Sequence, residues 1–111
     1  MSGLTRSEES ATRNGISATE QTFSNVQFSR QDVENTKFNV GSAYGGSDGK
    51  KYQDLLQQWD DQAEVISTNL RDVIDQLNET LRQNNLTQGS QNDAVDQQYS
   101  QSQSIFDALH G

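Results

Sequence analysis

Apolar residues recur in steps of three and four through much of this chain. The first series runs Phe23, Val26, Arg30, Val33, Lys37, Val40, Tyr44. That spacing is a heptad seam on a helix, with cations at two of its positions. A cleaner series follows at Tyr52, Leu56, Trp59, Ala63, Ile66, Leu70, Val73 and Leu77. Leu55, Val65, Ile74 and Leu81 lie beside it and widen the stripe. A face that wide can touch more than one neighbouring helix.

The boundaries follow from local chemistry. Ser17-Ala18-Thr19-Glu20 is a capping-box pattern, which predicts a helix over 17–43. Gly41, Gly45, Gly46 and Gly49 cluster around Ser42, Ser47 and Asp48 and predict a turn at 44–49. Tyr44 and Gly46 are the turn residues of interest: an aromatic that can fold onto the next helix, and a glycine that lets the backbone reverse. A second helix is predicted over 50–82. No proline interrupts either one. Residues 1–15 are polar and read as disordered.

Beyond Arg82 the chain turns to Gln, Asn and Ser, with a break expected at Gly89. A weaker heptad returns at Val95, Tyr99, Ser102, Phe106 and Leu109, beside Ile105. Residues 83–111 are therefore expected as a flexible tail that becomes an amphipathic helix only in a partner's groove. The fold class is all-α: an antiparallel helix-turn-helix hairpin over 16–82 that dimerises into a four-helix bundle. Phe23, Val26, Val33, Val40, Tyr52, Leu56, Trp59, Ile66, Leu70, Val73 and Leu77 are the expected packing residues.

Composition narrows the function. The 111 residues allow one domain, and only 30% are hydrophobic, so stability by self-burial is limited. A net charge of -8 argues against nucleic acid and anionic membrane surfaces. No stretch has the apolar length of a membrane span, and no stable membrane insertion is expected. The N-terminus lacks the apolar core of a cleaved signal peptide. Absence of cysteine removes disulfides and thiol chemistry.

Catalytic chemistry finds little to use. His110 is the single histidine and sits next to the last residue, where nothing fixes its geometry. Asp60-Asp61 and the Asp72/Asp75 pair are read as a solvated helix face, not a metal site. No enzyme activity, cofactor or metal is expected. Arg30 and Lys37 on the seam have two open readings. Their stems cover apolar surface while the charges reach water, or they demand an acidic residue across an interface and so select a non-identical partner.

Ala43-Tyr44-Gly45-Gly46-Ser47-Asp48-Gly49, the seam before it, Tyr52, Trp59 and Ile66-Ser67-Thr68-Asn69-Leu70-Arg71 together resemble the WXG family. These are small helical-hairpin proteins exported by type VII (Esx) secretion systems. The stretch from Tyr44 to about Leu77 carries the match, with tyrosine where the family has the tryptophan of Trp-x-Gly. The second helix is similar to that of the culture-filtrate-type partner. The resemblance implies a substrate secreted without a cleaved signal peptide. It implies pairing with a WXG-type partner, as a heterodimer in preference to a homodimer. It also implies capture of the C-terminal tail by a multi-domain secretion ATPase. Family tails carry Tyr-x-x-x-Asp/Glu; here Tyr99 is followed by Gln103. Val95, Tyr99, Ile105, Phe106 and Leu109 are the implied signal residues, and on that reading Phe106→Ala leaves pairing intact while weakening ATPase capture. Two other readings remain, a needle- or filament-type structural subunit and a homodimeric secreted effector.

Overall fold

The computed structural model describes residues 4–44, 46–87 and 93–109. Among these the elements are helices alone: α1 (Arg6–Tyr44), α2 (Gly46–Thr87) and α3 (Asp93–Leu109). The protein is all-α.

α1 begins eleven residues before the expected start at Ser17, at an N-cap formed by Thr5. The Glu8 N–H donates to the Thr5 hydroxyl at 3.1 Å, and the Glu9 N–H donates to the Thr5 carbonyl at 2.9 Å. Glu8 and Glu9 lie in the first turn, where the helix dipole favours anions. The stretch 6–15, expected to be disordered, is therefore helical. Serine and threonine compete with helix by bonding nearby backbone. Here Thr12, Thr19, Thr22, Thr36 and Ser42 instead donate to the carbonyl four residues back. The glycine turn is shorter than expected. α2 starts at Gly46, whose φ is +64°, and 47–49 already belong to the helix.

The chain divides into two compact units: residues 1–24 with 70–111, and residues 25–69. The first unit holds a core of Ile16 and Phe23 from α1, Ile74 and Leu81 from α2, and Val95 and Phe106 from α3. Leu4, Leu70, Leu77, Ile105 and Leu109 pack around it. Phe23 and Phe106 meet edge to face, with ring centroids 5.3 Å apart. The Arg71 guanidinium lies 4.7 Å over the Phe106 ring, and that of Arg82 4.8 Å over Tyr99.

The free tail expected at 83–111 is thus overturned for 93–109. The heptad Val95–Ser102–Phe106 is polar by composition. Its polar members nevertheless find buried partners, so α3 closes on the chain's own helices. Of the predicted signal residues, Val95 and Phe106 are buried, Ile105 and Leu109 half-buried, and Tyr99 exposed.

In the second unit the contacts nest about Gly46. Gln27 meets Ser67, Arg30 meets Asp60, and Lys37 meets Gln57 and Gln53. Along α2, which runs through both units, the predicted seam splits into two lines, each stepping by seven residues. Leu56, Ala63, Leu70 and Leu77 are buried or half-buried. Tyr52, Trp59, Ile66 and Val73 are exposed. Asp60, Ser67, Ile74 and Leu81 take their inward places. The helix is rotated by about one heptad position from the sequence reading, because Asp60 and Ser67 have polar partners on α1.

Candidate interaction surface

The second unit mixes polar contacts between its helices with half-buried Val26, Val33, Val40 and Leu56, and it leaves large apolar side chains on its surface. Arg30 makes a two-point contact with Asp60: Nε donates to Oδ1 at 2.9 Å and the second terminal nitrogen to Oδ2 at 3.3 Å. Asp60's hydrogen bond raises the Arg30 pKa. Burial opposes this, and the charges of Asp60 and Glu64 reinforce it. Arg30 also donates to Gln27 Oε1 at 3.2 Å, which in turn accepts from the Ser67 hydroxyl at 2.8 Å. Lys37 donates to Gln57 Oε1 at 2.6 Å and lies 3.5 Å from Glu34. Gln53 donates to the Lys37 carbonyl at 3.2 Å. The acidic partner that the seam cations demand lies within the same chain, so they give no reason for a non-identical partner.

The opposite character appears on the surface. Tyr52, Leu55, Trp59 and Ile66 follow one another along one side of α2, and all four are exposed. Leu55 is 61% exposed and Trp59 45%. Val33 of α1 joins Leu55, Leu56 and Trp59 in a shallow groove whose remaining lining, Gln58 and Gln62, is uncharged. Phe28, Phe38 and Val65 add further exposed apolar surface. Of the predicted packing residues in this unit, Val26, Val33, Val40 and Leu56 are half-buried. Phe23, in the first unit, is buried beneath α3.

The Tyr44–Gly46 turn is only partly on view. Gly46 stands in the left-handed region, whereas the Tyr44 side chain lies outside the described residues, as does His110. Among the described residues, no group of three or more His, Cys, Asp or Glu side chains is placed to hold a metal ion. No described helix is long and apolar enough to cross a membrane.

Sequence reasoning missed a buried polar cluster in the first unit. Glu20, taken as a capping residue, is 3% exposed. Its carboxylate accepts from Gln101 Nε2 at 2.8 Å, from the Ser102 hydroxyl, and from Gln98 Nε2 at 3.5 Å. Asn78 Nδ2 donates to Ser102 Oγ at 2.9 Å, leaving the buried Asn78 Oδ1 without a partner. The one signal in the sequence was negative: Ser102 sits at a heptad position where an apolar residue belongs.

No protein-family model matches the chain, nor does any curated protein or solved structure.

Proposed function

We propose that this protein is a non-enzymatic helical-hairpin substrate of a type VII secretion system. It pairs through the Tyr52–Ile66 stripe with a second hairpin, completing a four-helix bundle, and is exported by that system. The observation that carries the pairing is the row of large apolar side chains, Tyr52, Leu55, Trp59 and Ile66, left exposed on one side of α2. Water contact at such a stripe is unfavourable, and burying each large side chain contributes roughly 1.5–3 kcal/mol. A contiguous exposed apolar surface of this kind marks an interaction site. Contacts that nest about Gly46 support the hairpin. The export half rests on the resemblance of Tyr44–Leu77 to WXG proteins. On that reading Val95, Tyr99, Ile105, Phe106 and Leu109 address the secretion ATPase.

Trp59, the single tryptophan, lies in the stripe and reports on its cover. Mixing with a small hairpin protein encoded beside this one should shift Trp59 emission to the blue and give a discrete complex by light scattering. Leu55→Gln should weaken that complex at least tenfold with unchanged helicity. An unshifted spectrum with every such neighbour removes the pairing. An open-ended polymer of the chain alone would support the filament reading instead. Continued export after loss of the secretion ATPase would remove the type VII assignment.

A further inference from the structure

We infer that α3 is a releasable cover: docked on α1 and α2 it hides the chain's own C-terminal signal, and undocked it displays it. The inference rests on the export reading just given. Phe106 and Val95 are 1% and 2% exposed, so a receptor cannot grip them while α3 is docked. What holds α3 down is half polar. Between its two fully buried apolar side chains it places Gln98 and Ser102, against Glu20 and Asn78.

This contact is built to let go. Glu20 is a buried carboxylate with no cation among its partners in the described residues. Among the described residues, the hydrogen bonds its side chain accepts come from α3, through Gln98, Gln101 and Ser102. A buried ion held by neutral donors alone recovers much of its solvation when the donors leave. The Asn78 Oδ1 atom, buried and unpaired, gains a water partner on opening. Both effects narrow the difference between docked and undocked states without touching the nested contacts of residues 25–69. Released, α3 has 17 residues, a length at which an isolated helix is marginal in water. The free segment is then available to fold again on another surface.

A charge at Gln101 tests this directly. Its amide already reaches the Glu20 carboxylate at 2.8 Å from an exposed position, so Gln101→Arg supplies the missing cation and tightens the cover. Hydrogen exchange on the full chain should show 93–109 exchanging at least tenfold faster than 74–81. Gln101→Arg should slow 93–109 at least fivefold and leave 25–69 unchanged. In a host that exports the wild type, the variant's exported fraction should fall at least threefold, with Trp59 pairing intact. Exchange of 93–109 in step with 74–81 overturns the proposal, as does an Arg variant with wild-type exchange or export. Should Gln101→Arg fold poorly, Asn78→Cys/Ser102→Cys in this cysteine-free chain gives a reversible tether: oxidised chains should be export-incompetent and reduced chains competent. Equal export of the two forms sinks the idea. Loss of pairing with α3 opening preserved would remove the pairing reading and leave the cover. A wild type that is never exported would remove the export reading that gives the cover its role.

Discussion

Gly46 sets the start of α2 from the left-handed region at φ +64°, where an added Cβ crowds the following carbonyl even though no other atom lies within 4 Å. Gly46→Ala should therefore destabilise the chain by about 1–2 kcal/mol, read as a lower denaturation midpoint. An unchanged midpoint would mean that the turn relaxes freely. Asp75 carries a second residue-scale prediction. Burial raises its carboxyl pKa above the ordinary 3.8, Arg71 opposes the rise and Asp72 adds to it. A raised acid pKa means that the folded chain resists ionisation here. The penalty is complete above the folded value and absent below the unfolded one. Asp75→Asn should thus raise the melting temperature slightly at neutral pH and not at all below pH 3.8. A gain of equal size at both ends would trace it to packing instead.

At the scale of elements, the long periodic series made two helices legible, and the glycines located the break between them. The ends were harder. Thr5-Arg6-Ser7-Glu8 has the same capping-box form as Ser17-Ala18-Thr19-Glu20, and composition favoured the later one. The structure uses the earlier, because Ile16 belongs to the core and extends α1 past the later box. The α2 stripe was legible as a face, but which edge turns inward was not. That choice is made by Arg30 with Asp60 and Gln27 with Ser67, pairs 30 and 40 residues apart in sequence. α3 was legible as a helical pattern and misjudged as too polar to dock, since the partners of Gln98 and Ser102 lie on other helices.

Two substitutions test these elements. Gly15 lies within α1 with nothing within 4 Å of where a Cβ would stand. Gly15→Ala should stabilise by about 0.5–1 kcal/mol through lower unfolded-state entropy; a loss of stability would show hidden crowding at that site. Phe106→Ala removes the ring between Phe23 and Arg71. It should cost up to about 3–5 kcal/mol, capped by the docking energy of α3, and leave 93–109 unprotected from hydrogen exchange. Wild-type protection in that variant would mean that Phe106 does not anchor the helix. Export effects of the same substitution must accordingly be read beside its effect on docking.

Over the whole molecule, a net charge of -8 bears on the choice of partner. Arg30 and Lys37 find acidic or amide groups within the chain, so the case for a non-identical partner passes from the seam to this long-range charge. Gln58 and Gln62 leave the groove beside Trp59 uncharged, and repulsion between two copies would act from the surrounding acidic surface. Such forces are screened over about 8 Å at physiological salt and act mainly on encounter. A basic or weakly charged sibling should therefore bind most tightly at low salt. Self-association of this chain should instead strengthen by about tenfold or more on going from low to high salt. Trp59 emission, followed in sodium chloride titrations of the chain alone and of the mixture, separates the two trends. Self-association that does not change with salt would show that short-range packing of the stripe, and not net charge, selects the partner.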